Sequence, residues 1–192
     1  MWKYLTIIVL MWTATACDDG MAKNKVKEAT PIDAQSNNTD TVNDEIGGLI
    51  DDYYSMKDNF VAENELLVNK YAVAMEQAAD TLDLNTVKTN SVEKDKDKQL
   101  VSEINSDLKV LVGEKDIEAK RKPFQMLSDK LYDLIKAIQY DKQIIYHEHC
   151  PMAFNQAGAD WLSNTTDIKN PYIPKKMLDC GEVHDTIDFT KP

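Results

Sequence analysis

Apolar residues recur at helical spacing from residue 44 onward. The first stripe follows i, i+3, i+4, i+7 spacing and consists of Ile46, Leu49, Ile50, Tyr53 and Phe60. Lys57 is the one charged residue that falls on this stripe. Asp44 precedes the stripe and is a favourable N-cap residue. This pattern predicts an amphipathic helix that starts near residue 44.

Three further stripes predict three more helices. They are Leu67, Tyr71, Ala74, Met75, Ala78 and Leu82; then Leu100, Ile104, Leu108 and Leu111; and then Ile117, Phe124, Leu127, Leu131, Leu134, Ile135 and Ile138. Gly113 predicts the end of the third helix, and Pro123 predicts a kink or the start of the fourth. The polar stretch 83–98 predicts a loop. Short connections favour an all-α antiparallel four-helix bundle.

The helical pattern ends after Tyr140. Residues 143–150 form a short strand-like run, which Pro151 interrupts. Trp161, Tyr172 and several prolines follow, so residues 141–189 predict an irregular or short-strand extension folded against the bundle. We treat 44–192 as one domain that contains this extension.

The N-terminus has the organisation of an export signal. Lys3 precedes an uncharged apolar run, and small residues lead directly into Cys17. The run is shorter than the ~20 residues needed to span a bilayer. We therefore predict a lipoprotein signal peptide at 1–16 and a lipid anchor on Cys17. The alternative is an ordinary cleaved signal that leaves a free Cys17. Residues 17–43 carry few large apolar side chains and predict a flexible tether.

The composition is strongly acidic. The chain has 33 Asp and Glu against 22 Lys and Arg, a net charge of −11. This charge argues against nucleic acids as partners. The charge runs 93–98 and 120–122 are expected to face solvent. Enzymatic activity is not expected, because the sequence shows no phosphate-binding loop, serine elbow or di-iron Glu-x-x-His pair.

Sequence motifs near the C-terminus resemble one known family. They are His149-Cys150-Pro151-Met152-Ala153-Phe154, Gly158-Ala159-x-Trp161-Leu162-Ser163, Ile168-x-Asn170-Pro171-Tyr172 and Met177-Leu178-x-Cys180-Gly181-Glu182-Val183. The weaker helical motifs are Tyr54-x-x-Lys57-x-x-Phe60-Val61 and Arg121-x-x-Phe124-x-x-Leu127-Ser128. Together they resemble domain of unknown function 3347 over residues 44–189. Ile173-Pro174 and Pro123 depart from the family pattern.

The resemblance implies an exported protein with a connection to heavy metals. The family also occurs fused to adaptor subunits of CusB-type copper and silver efflux pumps. It therefore implies metal-efflux adaptor proteins as partners and a location in the cell envelope, facing the periplasm or the exterior.

The residues themselves suggest a soft-metal site. Cys150 with Met152, and Met177 with Cys180, are two short pairs of sulfur donors, which suit copper or silver; His147 and His149 add imidazoles, which also suit zinc. In a regular strand these histidines would face away from Cys150, so a separate edge site or a plain surface position remains open for them, and His184 is read as a solvated residue.

A disulfide is the alternative role for the two cysteines. Exported proteins commonly pair their cysteines, and a Cys150–Cys180 bond would close a loop of about 30 residues and stabilise the fold by ~3 kcal/mol. Met152 and Met177 would then be core packing. The sequence thus predicts an envelope lipoprotein that binds copper or a similar ion, or a non-catalytic interaction module stapled by that disulfide.

Overall fold

Four long helices make up most of the structure. A computed structural model describes residues 38–87 and 91–190 of the chain. The helices are α1 (Asp40–Val61), α2 (Glu65–Thr81), α3 (Ser91–Gly113) and α4 (Ile117–Ile138), with a 3₁₀ turn at Leu84–Thr86. The predicted signal peptide, Cys17 and the predicted tether as far as residue 37 lie outside the described residues. Residues 40–43, which were also assigned to the tether, belong to α1 instead.

Each helix packs against the next one along the chain, and α4 also packs against the C-terminal sheet. Apolar side chains from all four helices join one core with those of the sheet, including Trp161 and Leu162. The predicted helical bundle with a short-strand extension is confirmed.

Two helix starts differ from the predictions. The first helix begins at Asp40, where Thr39 Oγ1 accepts the Val42 N–H at 3.3 Å, so Thr39 is the N-cap and Asp44 lies inside the helix. The earlier start brings Val42 into the core. The third helix begins at Ser91, so the loop predicted for 83–98 is wrong from residue 91 onward. Most charged residues of this first part remain exposed or half-buried, whereas Asp97 is buried. A polar segment can be helical when only one face is covered.

The fourth helix runs through Pro123. It begins at Ile117, where the Asp116 carboxylate accepts the Ala119 N–H at 2.9 Å, and it continues to Ile138. Pro123 therefore does not mark the helix start.

The charge run 120–122 does not simply face solvent, because Lys120 and Arg121 are buried. Lys120 Nζ donates to the carbonyls of Leu111, Val112 and Glu114 at 2.9, 3.2 and 2.6 Å. These carbonyls lie in the last turn of α3 and just beyond it, where backbone carbonyls lack the i+4 partner of a continuing helix. The predicted solvent exposure was wrong because the lysine caps a neighbouring helix.

Three antiparallel strands form the C-terminal extension, in the order β2-β1-β3. They are β1 (Ile145–Cys150), β2 (Ala159–Ser163) and β3 (Glu182–Ile187), with short helical segments α5 (Ala153–Gln156) and α6 (Pro174–Met177) between them. The register pairs His147 with Asp185 but Glu148 with Val183. His184 is thus the extra residue of a β-bulge, which re-aims side chains locally.

Candidate functional site

The two cysteines meet at one end of the sheet. Cys150 is buried at the end of β1, and Cys180 is partly buried in the loop that leads into β3. Their Sγ atoms lie 2.7 Å apart, and both are free thiols in the structure. The hydrogen bond with the Cys150 thiol, with a further contribution from burial, raises the pKa of Cys180. Antiparallel pairing of β1 and β3 therefore converges two residues that are 30 apart in sequence.

Gly181 allows this convergence. A Cβ at this position would lie 2.8 Å from the Trp161 ring and 2.9 Å from the His149 carbonyl oxygen. Gly181 also has φ +150°, in the region that favours glycine. The residue after Cys180 must be small for β3 to approach β1 and the buried tryptophan this closely.

The two methionines flank the thiols without entering the core. Met152 is 43% exposed and Met177 is 41% exposed. The Met152 backbone N–H donates to the Cys180 sulfur, and the Cys180 N–H donates to the Met177 carbonyl at 3.2 Å. Pro151 and Met152 form a turn rather than extended chain, and α6 already ends at Met177. Turns thus bring the backbones of both methionines to Cys180, and core packing does not explain their exposed side chains.

His147 and His149 lie on the other face of the sheet. Residues 146–150 pair regularly with β2, so successive side chains of β1 alternate between the two faces. Cys150 and Glu148 therefore share one face, and the two histidines share the opposite one. The four sulfur donors and the two imidazoles do not form a single site.

A third histidine joins that opposite face. The His184 ring centroid lies 5.7 Å from that of His149 and 6.1 Å from that of His147. Asp160 on β2 contributes a carboxylate: its Oδ1 lies 2.7 Å from His149 Nδ1 and 3.8 Å from His147 Nε2. Sequence reasoning missed Asp160 and treated His184 as merely solvated. The pairing of β1 with β2 places Asp160 beside the histidines, and the bulge in β3 places His184 there. Neither feature leaves a local signal in the sequence.

One ring of this histidine cluster is held in place by α4. Tyr132 stacks on His147 with ring centroids 4.1 Å apart and an interplanar angle of 22°. The Tyr132 hydroxyl donates to Asp185 on β3 and accepts from Lys136 Nζ at 2.8 Å. Burial lowers the pKa of His147, and the neighbouring His184 lowers it further, against the opposing effect of Asp160.

Glu148 is a buried carboxyl on the cysteine face of β1. Burial raises its pKa to about 7, although the Lys57 ammonium and the Trp161 indole N–H both act to lower it. Within the described residues, neither carboxylate oxygen has a partner in full hydrogen-bond geometry. Lys57, the off-pattern residue of the first stripe, is itself 5% exposed. The Lys57 ammonium of α1 therefore lies close enough to act electrostatically on the Glu148 carboxyl of the sheet.

The donor chemistry fits metal ions, although nothing is fully preassembled. Across residues 38–87 and 91–190, no three or more His, Cys, Asp and Glu side chains are already arranged around a common metal position. The thiol and thioether set at Cys150, Cys180, Met152 and Met177 has the composition that soft ions prefer. The same described part of the chain contains no helix long and apolar enough to cross a membrane.

Comparison with known proteins identifies the helical part. No curated protein and no solved structure matches the chain. A family model described as a protein of unknown function, DUF3347, matches residues 49–143. The match spans the bundle from α1 to the residues just before β1, whereas the cysteine and histidine motifs lie beyond it. The chain belongs to the DUF3347 family through its helical bundle.

Proposed function

We propose that this protein is a non-catalytic lipoprotein of the cell envelope that binds a soft metal ion, Cu(I) or a similar ion such as Ag(I). The ligands are the thiolates of Cys150 and Cys180, with Met152 and Met177 beside them. The observation that carries the proposal is the exposure of the two methionines, 43% and 41%, next to converged thiols. Exposed thioethers suit an ion that arrives from solvent.

The reduced thiol pair is the metal-binding form. Two thiolates that share one ion at about 2.3 Å each lie about 3.8 Å apart, so the sulfurs must separate from their present 2.7 Å. Cys180 sits in a loop, which can move more easily than the strand that holds Cys150. Thiolate ligands release their protons on binding, so affinity rises with pH.

A disulfide is the second candidate role, and the 2.7 Å separation of the sulfurs favours it. Loss of two electrons and two protons to an oxidant of the compartment would join the two sulfur atoms. The bond would tie the end of β1 to the entry of β3 and stabilise the fold by ~3 kcal/mol. In that form the protein is a stapled interaction module with no thiolate for a metal.

Membrane attachment at Cys17 completes the proposal. The lipid would hold the domain outside the cytoplasm on a tether, where it can serve an efflux adaptor or another metal-handling protein. Labelling of cells with an acyl probe should mark the wild-type chain and leave Cys17→Ser unlabelled. Equal labelling of both chains would rule out this anchor.

A Cu(I) titration of the reduced full chain tests the metal site. We compare wild type with the double variant Met152→Leu/Met177→Leu, using a competing chelator to fix the free ion concentration. The variant should bind Cu(I) at least about tenfold more weakly, by analogy with the loss of outer ligand-shell groups, and keep its stability because leucine conserves apolar volume. Met126→Leu is the matched control, because Met126 is also 43% exposed but lies on α4.

Equal Cu(I) affinity in the wild type and the double variant would show that the two methionines do not contribute to Cu(I) binding. Thiol counting on protein taken from its native compartment distinguishes the two roles of the cysteines. A complete disulfide there, with no copper-dependent rise in melting temperature after reduction, would leave only the stapled module.

A further inference from the structure

The histidine face of the sheet carries a donor set that the soft-metal proposal does not use. His147 and His149 come from β1, His184 from β3 and Asp160 from β2, so three adjacent strands each contribute. The strands are hydrogen-bonded to one another, and the Tyr172 hydroxyl also donates to the Asp160 carbonyl. Such backbone support restricts how far the four side chains can drift apart.

The distances between these donors approach those of a four-coordinate ion. Ligands at about 2.0–2.1 Å in a tetrahedral site lie about 3.3 Å from each other. Asp160 Oδ1 lies 2.7 Å from His149 Nδ1 and 3.8 Å from His147 Nε2, on either side of that value. The His184 ring lies 5.7 and 6.1 Å from the other two rings, where imidazoles on one ion have centroids about 5 Å apart. An ion would therefore require side-chain rotation at the site, mainly of His184, which is exposed.

His147 is a partly buried imidazole, with 13% of its side chain exposed. Its Nδ1 has no hydrogen-bond partner among the described residues, and its Nε2 is beyond hydrogen-bond distance of Asp160. Stacking on Tyr132 nevertheless fixes the ring plane. Nε2 is the nitrogen on the Asp160 side, so it is the atom of this ring that an ion beside Asp160 would bind.

The surroundings favour a cation. Two further carboxylates lie near enough to interact electrostatically with the donor set, Asp185 of β3 with His147 and Asp129 of α4 with Asp160. Lys136 is the cation that approaches from α4, and it is engaged with Tyr132 and Asp185. Carboxylates beside imidazoles favour a divalent cation at this position.

We infer that His147, His149, His184 and Asp160 form a second metal site, for a divalent ion of intermediate softness such as Zn²⁺. Imidazole with one carboxylate suits Zn²⁺, Cu²⁺ or Ni²⁺, whereas thiolate with thioether suits Cu(I). The site lies on the opposite face of β1 from Cys150, so it does not depend on the redox state of the cysteines. The two faces of one small sheet thus select different classes of ion.

Zinc titration of the thiol-blocked full chain tests the inference. The chain is oxidised and then alkylated, so that no thiolate can bind, and Zn²⁺ binding is followed by calorimetry. Wild type should bind one Zn²⁺, and both His184→Gln and Asp160→Asn should weaken binding at least about tenfold. Thr186→Ala is the control, because Thr186 is exposed on the same strand and pairs with Tyr146 of the other face. Its affinity should equal that of wild type.

His184 is exposed, so His184→Gln should fold normally, and circular dichroism checks this. With Cu²⁺ as the probe, the electron paramagnetic resonance spectrum of wild type should show coupling to several imidazole nitrogens, reduced in His184→Gln. Absence of Zn²⁺ binding by the blocked wild type, or equal affinity in His184→Gln, would overturn the site. Cu(I) binding by the reduced chain would then stand unaffected, and failure of Cu(I) binding alone would leave the zinc site intact.

Discussion

The buried charged side chains of α4 in the bundle and the buried polar groups of β1 in the sheet have different surroundings. In the bundle, Lys120 Nζ donates to three carbonyls at the end of α3. Arg121 pairs with Glu63 and Glu118 and donates to the carbonyl of Pro171. In the sheet, the carboxylate of Glu148 and one nitrogen of His147 are buried without full hydrogen-bond partners among the described residues.

The contrast is between buried charges that are fully hydrogen-bonded and buried polar groups that lack hydrogen-bond partners. A buried charge that is fully hydrogen-bonded contributes to a defined arrangement of elements, as Lys120 and Arg121 do by joining α4 to the ends of other elements. A buried polar group that lacks partners lowers stability and persists where it has another use. Lys120 and Arg121 therefore support the fold. Unpartnered buried polar atoms also occur in the bundle, at Tyr54, Asn69, Asp97 and Asn105, so what distinguishes Glu148 and His147 is their position beside the proposed metal ligands.

The largest expected effect comes from removing the packing that holds the sheet to the bundle. Trp161 is fully buried on β2, and its ring contacts Tyr172, which in turn packs on Phe124 of α4. Trp161→Ala should lower the free energy of unfolding by ~3–5 kcal/mol, measured by urea denaturation. Leu66→Ala in the bundle is the control, because Leu66 is 77% exposed and its loss should change stability by less than about 0.5 kcal/mol. A small effect of Trp161→Ala would mean that the sheet is not anchored by this side chain.

The second-largest expected effect is a change of stability with pH, caused by Glu148, the buried carboxyl of the sheet. Burial raises the pKa of Glu148 to about 7, well above that of the unfolded chain. The folded state therefore binds the proton more tightly, and the stability that this group provides is full below the unfolded pKa and is lost as pH rises through about 7. The loss should reach about 3 kcal/mol at pH 8.

Glu148→Gln isolates this contribution, because the amide does not titrate. The difference in unfolding free energy between variant and wild type should shift by about 3 kcal/mol in favour of the variant between pH 4.5 and pH 8. Glu182→Gln, an exposed carboxyl on β3, serves as the comparison and should show little shift. A difference that stays constant with pH would show that Glu148 is not held neutral.

The smallest expected effect concerns the Tyr132 hydroxyl, which donates from α4 of the bundle to Asp185 of the sheet. Tyr132→Phe removes the hydroxyl that joins Asp185 of β3 to Lys136 of α4. Its loss should destabilise the protein by about 1 kcal/mol, the usual net value of one hydrogen bond, as measured by thermal unfolding. The stacking on His147 should remain, since the ring is kept. A loss of several kcal/mol would instead assign this network a structural role like that of Lys120.

Periodicity located the helices and most of their buried faces. All five predicted apolar positions of α1 are buried: Ile46, Leu49, Ile50, Tyr53 and Phe60. In α2 the buried positions are Val68, Ala72, Met75 and Ala79, so only Met75 of the predicted stripe is fully buried. Alanine-rich sequence gives a weak contrast between faces, because small side chains are compatible with either. The helix itself was therefore predicted correctly, but its buried face was assigned to the wrong side.

The candidate site was only partly predictable. The sequence predicts that Cys150 and Cys180 meet, either as a disulfide or around a metal ion, and the structure brings their sulfur atoms to 2.7 Å. The placement of His147 and His149 away from Cys150 follows from strand alternation. Asp160 and His184 could not be found in this way, because strand register and a one-residue bulge decide which side chains meet across strands.

The sequence by itself determined four helices, a change of architecture after Tyr140 and the residue types available for chemistry. These depend on patterns within about ten residues of chain. Only the tertiary structure decided that Lys120 and Arg121 are buried, that Met152 and Met177 are exposed, and that the sulfur and imidazole donors lie on opposite faces of β1. Those outcomes depend on contacts between segments far apart in the chain, which local periodicity does not encode.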